Sequence, residues 1–179
     1  LSNTIDDFRN FFSPNKEMNK FYVSQLIKKS KDLIKSRFDK FNIKVIEHID
    51  DIEILSYQNE LFQVILNLFS NSIDVLSSSQ IENKIIYIKI YHDENNLYIE
   101  FLDNGGGIKD EFINRVFEPY FTTKHKSQGT GIGLYMSLQI VTKHLNGEIS
   151  VKNDTFIENN IAYFGAKFTI LLPIYLQNN

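Results

Sequence analysis

The stretch that most restricts the fold is the alternating run Leu97-Tyr98-Ile99-Glu100-Phe101-Leu102, which passes directly into Asp103-Asn104-Gly105-Gly106-Gly107-Ile108. The two-residue period is that of a strand, so Leu97, Ile99 and Phe101 share one face and Asp103 inherits it. A carboxylate is therefore expected at the rim of an apolar layer, where it is costly unless neighbours donate hydrogen bonds to it. Three glycines follow, and they let the backbone pass close to a ligand and take up left-handed dihedrals. An acid facing an apolar pocket beside such backbone suits adenine, whose exocyclic amine donates while its flat ring fills the pocket. The same letters also spell an Asp-Asn-Gly hairpin turn, and the stretch alone leaves both readings standing.

A second run, Tyr57 to about Ser77, has helical spacing. Phe62, Ile65, Phe69, Ile73 and Leu76 lie on one face, while Asn67, Asn71 and Asp74 cluster on the other. The run contains no Lys or Arg, and Val64, Leu68 and Val75 flank the polar stripe. A solvated face ordinarily carries long charged side chains. Neutral amides there point instead to polar groups aimed into a cavity, or else to asparagines that cap and pack. An amide oxygen is a suitable hard ligand for Mg2+, which otherwise keeps waters and phosphate oxygens.

The remaining chain reads in order. Leu1, Ile5, Phe8 and Phe12 form a helical stripe that Ser13-Pro14 ends. The stripe reads as the tail of something longer packing on a partner helix, or as a helix folded back on its own domain. Phe21-Tyr22-Val23 reads as a short strand, and Ser24 as the N-cap of a helix to about Phe41. Leu26, Ile27, Leu33, Ile34, Phe38 and Phe41 supply the inner face of that helix. Its lysines and Arg37 are interrupted by Asp32 and Asp39 and read as a solvated outer face. Asn42 to Ile49 and Glu53 to Ser56 read as strands, as do Lys84 to Tyr91, Glu148 to Lys152 and Ala162 to Leu172. A short helix is expected over Asp110 to Val116.

Between the two glycine-rich motifs, the aperiodic segment from Phe117 to Gln128 reads as a mobile lid. Its Thr122, Thr123 and Lys124 are placed to touch phosphates, unless the segment is a surface loop with an apolar plug. Gly129-Thr130-Gly131-Ile132-Gly133-Leu134 opens a helix that Asn146-Gly147 caps. Backbone amides at such an N-terminus bind phosphate well, but no Gly-Lys-Ser/Thr follows and no dinucleotide fingerprint is completed.

Composition narrows the partners. A net charge of −3 argues against non-specific binding of nucleic acid or anionic membrane. With no cysteine, disulfides, thiolate zinc sites and thiol nucleophiles are excluded. No apolar run approaches a membrane span and no signal-peptide pattern is present. The expected setting is cytoplasmic, with a parent protein that is either soluble or membrane-anchored. The chain opens at Leu1 rather than methionine, which reads as an excised piece.

Taken in order, Asn67-x3-Asn71, Asp103-x-Gly105-x-Gly107, Phe117-x-Pro119-x-Phe121 and Gly129-x-Gly131-x-Gly133 resemble the N, G1, F and G2 boxes of sensor histidine kinases. These are two-component kinases of the GHKL ATPase superfamily, and the likeness covers roughly residues 20–174. It implies the Bergerat fold: an α/β two-layer sandwich whose mixed, mostly antiparallel sheet of about five strands carries three helices on one face and a long ATP lid. Residues 1–19 would be the end of a dimerisation helix with its linker, 20–174 the ATP-binding domain and 175–179 a tail. The implied ligands are ATP, with ADP as product, and Mg2+. By the resemblance, Asp103 accepts the adenine amine, and Gly105, Gly107 and Ile108 shape the base pocket. Asn71 holds magnesium, Asn67 lies near the phosphates, and Asp74, Phe117 and Leu134 line the site. Lys124 and the lid threonines meet the phosphates, which Gly129, Thr130, Gly131, Ile132 and Gly133 wrap; Thr169 reaches the adenine. Asn67 and Lys124 are the implied catalytic pair.

One departure matters. Phosphoryl transfer in this family goes to a histidine with an acidic neighbour, and none of His48, His92, His125 and His144 has that setting. The expected acceptor is therefore a separate dimerisation domain, with a response regulator downstream. ATP hydrolases and clamps of the superfamily carry a glutamate where this chain has Asn67, and an amide cannot take a proton from water. A degenerate domain used only for interaction is the third reading.

Overall fold

The computed structural model describes residues 17–123 and 129–174. The helical stripe of Leu1 to Phe12 and the lid residues Lys124 and His125 lie outside them. In chain order the elements are β1 (Asn19–Tyr22), α1 (Val23–Phe41), β2 (Ile43–Ile49), β3 (Glu53–Ser56), α2 (Gln58–Ser78), β4 (Lys84–His92) and β5 (Asn96–Asp103). There follow α3 (Asp110–Ile113), α4 (Gly133–Gln139) with a π turn (Ile140–His144), β6 (Glu148–Glu158) and β7 (Ile161–Pro173). Among them no helix is long and apolar enough to cross a membrane.

Five strands form one sheet in the order β2-β4-β5-β7-β6, and β1 pairs with β3 in a two-stranded sheet. Among the described strands only β2 and β4 run parallel; the chain between them includes α2, a crossover that parallel neighbours require. The other pairs are antiparallel. The alternation read from the sequence sets the layers: Ile86, Ile88 and Ile90 of β4 and Leu97, Ile99 and Phe101 of β5 are all buried against the helices. From α2, Phe69 drives into the same layer, edge-on to Phe38 of α1 at 5.5 Å and to Phe101 at 4.9 Å. The expected mixed, mostly antiparallel sandwich is the observed architecture.

Local details depart from the sequence reading. Ser24 does not cap α1. The helix starts one residue earlier, and Asp51 receives both the Ser24 N–H (3.1 Å) and its hydroxyl (2.6 Å), setting a carboxylate at the positive end of the helix. Leu33 is 64% exposed; Ser30 takes the buried place on α1, its hydroxyl donating to the Leu26 carbonyl at 2.9 Å. After the π turn that continues α4, the expected Asn146-Gly147 cap is in place, with Asn146 left-handed at φ 52° and the Gly147 N–H donating to the Val141 carbonyl.

The last hairpin is longer than expected. Its strands run on to Glu158 and back from Ile161, joined by the left-handed pair Asn159 and Asn160, a two-residue turn that matches strand twist. From this hairpin Phe156 and Tyr163 join a second apolar cluster, apart from the main core. Phe156 stacks on Tyr87 of β4 (4.9 Å) and on Tyr163 (5.1 Å), covering Ile85 and Leu102. The same hairpin carries a polar network in which Lys167 bridges Asp154 (2.7 Å) and Glu100 (3.6 Å). The lysines Lys167 and Lys152 hold Asp154 well below the usual carboxylate range.

Candidate functional site

A cavity of about 640 Å³ opens between α2, the end of β5, α3 and the start of α4. Its lining includes the apolar Val75, Ile108, Val116, Leu134, Ala166 and Phe168 and the polar Asn67, Ser70, Asn71 and Asp74.

Asp103 ends β5 on the helix-facing side, as the alternation requires, and is 4% exposed. Burial pushes its carboxyl up to about 6 from an ordinary 3.8, partly offset by three donors: the Gly105 N–H, the Ser72 hydroxyl and the Ala166 N–H. The first reaches Oδ1 at 2.9 Å and the second reaches Oδ2 at 3.2 Å. Asn104, the next residue, turns away and extends the sheet with its side chain, accepting from the Ile85 N–H at 2.7 Å and donating to the Asn83 carbonyl at 2.6 Å. The stretch is thus a strand end running into a loop, not a hairpin turn.

On α2 the stripe of Asn67, Asn71 and Asp74 faces the cavity as a unit. Asn67 donates to the Ser137 hydroxyl of α4 at 2.9 Å. Asp74 is held by Arg37 of α1 at 2.6 Å, and the same guanidinium donates to Ser70 at 3.0 Å. Arg37 therefore braces two of the lining residues from α1 while its side chain stays about a third exposed. Asn71 Nδ2 is buried without a hydrogen-bond partner. Asn71 lines the cavity, and a carboxamide oxygen presented there can be offered to a hard cation. Among the described residues no three His, Cys, Asp or Glu side chains converge. A cation here would rest on amide oxygen and on oxygens brought by a ligand, a donor set that fits Mg2+.

The two loop motifs meet at the mouth. The Tyr120 N–H donates to the Gly131 carbonyl at 2.9 Å, and both residues have left-handed φ, 64° and 67°. A Cβ at Gly131 would lie 2.5 Å from the Tyr120 carbonyl carbon, so glycine is required by sterics as well as by dihedral. Phe121 packs on Phe112 (5.5 Å) beneath the Arg115 guanidinium (4.6 Å).

Of the residues singled out from the sequence, Asn67, Asn71, Asp74, Asp103, Gly107, Ile108, Thr122, Thr123, Gly129, Thr130, Gly131, Gly133 and Leu134 line this one cavity. Lys124 lies outside the described residues. Four others are not among the lining residues. Gly105 acts behind the wall as a donor to Asp103, and Phe117 anchors in the core against Phe168 at 6.3 Å. Ile132 sits at the N-cap of α4. Thr169 is a correction: it pairs with Glu100 and Ser150 across the sheet, and strand parity turns it to the side away from the helices, leaving Ala166 and Phe168 at the cavity. Sequence reasoning missed Ser72, Ser137, Ala166 and Arg37. Ser72 carried a signal, a hydroxyl among the buried residues of α2 that needed a partner; the others became visible only with the packing.

Comparison with known proteins agrees with this fold. A family model described as histidine kinase-, DNA gyrase B-, and HSP90-like ATPase matches residues 56–176. The chain is 32% identical over 155 residues to sporulation kinase E of Bacillus subtilis, covering 86% of this chain and 19% of that protein. It is 29% identical over 159 residues to the signal transduction histidine-protein kinase AtoS of Escherichia coli, covering 88% and 24%. The catalytic domain of histidine kinase ThkA superposes with a TM-score of 0.71 at 25% identity, over 88% of this chain and 96% of that one. The chain spans about a fifth of the length of the curated relatives it matches.

Proposed function

Since the chain belongs to the family of histidine kinase-, DNA gyrase B- and HSP90-like ATPases, we propose that its cavity holds Mg-ATP and that the γ-phosphoryl passes to a histidine on a dimerisation domain outside this sequence. The observation that carries the reading is that the buried Asp103 carboxylate and the Asn67 and Asn71 amides, from distant parts of the chain, line one cavity. Asp103 accepts the adenine amine, with Ile108 and Leu134 against the ring. Asn71 offers its oxygen to Mg2+, which when bound neutralises charge on the phosphate oxygens. Backbone amides of Gly129 to Gly133, with Thr122, Thr123 and Lys124, receive the phosphates. Asn67, already oriented by Ser137, holds the phosphates or their waters in line; an amide takes no proton from water, so hydrolysis is not its task. Catalysis in this reading is positioning and charge neutralisation. The partners we assign are the parent protein's own phosphoacceptor domain and, through it, a response regulator.

Two measurements test this. Mg-ADP should raise the melting temperature of the chain, because a ligand that binds only the native state must stabilise it. ATP turnover by the chain alone should be negligible, while phosphate should pass to a separately supplied helical domain carrying the acceptor histidine. Rapid hydrolysis without that domain would favour an ATP hydrolase, and no response to Mg-ADP would favour an interaction-only role.

A further inference from the structure

The mechanism above leaves Asn153 unused, yet its side chain makes two hydrogen bonds to one residue of the base pocket. From β6 its Oδ1 accepts the Ile108 N–H at 2.8 Å, and its Nδ2 donates to the Ile108 carbonyl at 2.7 Å. This is the exchange of both backbone bonds that a neighbouring strand would make, supplied here by one carboxamide at a place where β5 has already ended. The approach depends on Gly107, whose φ is 80° and whose Cβ, if present, would stand 2.6 Å from Asn153 Oδ1. Phe164 of β7 closes the same corner, with a ring carbon 3.1 Å from that Cβ position.

We propose that Asn153 is a positioning residue for the nucleobase: it fixes Ile108, a lining residue of the cavity, and so holds the loop from Gly105 to Ile108 in its binding shape before the ligand arrives. The inference rests on the nucleotide reading. A flexible loop with two left-handed glycines has many conformations to lose on binding, and anchoring it in advance removes that cost. The clamp needs a donor and an acceptor on one short side chain. Aspartate keeps the acceptor but sets a negative charge against the Ile108 carbonyl, and alanine removes both bonds.

The test is calorimetry of Mg-ADP binding to the whole chain as wild type, Asn153→Ala, Asn153→Ser and Asn153→Asp, with Lys152→Ala on the adjacent position as control. Hydrogen exchange of the Ile108 amide is read in the free proteins. Asn153→Ala and Asn153→Asp should weaken Mg-ADP by about tenfold and speed Ile108 exchange by at least about tenfold, consistent with the loss of such bonds. Serine should fall between, and Lys152→Ala should match wild type in both. Asn153→Ser keeps the test open should alanine fail to fold. Affinity within twofold of wild type in folded Asn153 variants overturns the inference while leaving the nucleotide reading intact. Equal weakening in Lys152→Ala overturns it too, since the effect would then be general loosening of β6. Wild-type protein that takes up no Mg-ADP overturns the nucleotide reading, and the inference with it.

Discussion

Replacing Asp103 by asparagine should separate the cost of this carboxylate from its use, because stability and binding are expected to move in opposite directions. Burial raises the folded-state carboxyl to about 6 from 3.8. A raised folded pKa contributes stability that is full below the unfolded value and lost as pH climbs through the folded one. Between about pH 4 and pH 6 the wild type should therefore lose about 3 kcal/mol that the variant keeps, at 1.36 kcal/mol per unit. Against this, one amide oxygen cannot serve the Gly105 and Ala166 N–H groups and Ser72 as two carboxylate oxygens do, a mismatch worth about 1–2 kcal/mol. The stability curves should cross: the variant is weaker at pH 4, and at pH 7 it is about 1–2 kcal/mol stronger than the wild type. Mg-ADP affinity at pH 7 should nonetheless fall about ten- to 150-fold, the worth of a charge-assisted bond to the adenine amine. Urea titrations across pH 4–7 and calorimetry at pH 7 supply both numbers. Parallel stability curves with the variant several kcal/mol lower throughout, or unchanged affinity, would refute the assignment of a buried acid kept for its ligand.

Other expectations follow from single contacts. Asn71→Ala should bind ADP with the same affinity in Mg2+ and in EDTA, whereas the wild type should weaken on metal removal; calorimetry under both conditions decides it. Phe69→Ala empties the meeting point of α1, α2 and β5 and should cost about 3–5 kcal/mol in urea unfolding. Gly131→Ala forces a side chain into left-handed backbone against Tyr120 and should cost at least about 1 kcal/mol while weakening Mg-ADP, read by thermal melts with and without ligand.

Much of this was legible in the sequence because it depends on period alone. Alternation put Asp103 on the inner side of β5, and helical spacing put Asn67, Asn71 and Asp74 on one stripe of α2; neither needs a partner element to be known. What escaped depends on which residues meet across elements. Thr169 and Ala166 differ by an odd number of positions on β7, so their facing could be judged only once Lys167 was found opposite Leu102 and Ala166 on the Asp103 side. Arg37 reads as a solvent charge until α1 is laid on α2, and Asp51 as a loop acid until it meets the start of α1. Asn159-Asn160 is a weaker turn signal than Asn-Gly, so the reach of the last hairpin became visible only through the stacking of Phe156 on Tyr87.

The bond between Tyr120 and Gly131 fastens the two feet of the intervening segment to each other. A loop closed on itself at the base can gain or lose residues cheaply, since doubling its length adds only about 0.6 kcal/mol of closure entropy. Insertions or deletions between Tyr120 and Gly131 should therefore leave the rest of the cavity lining in place.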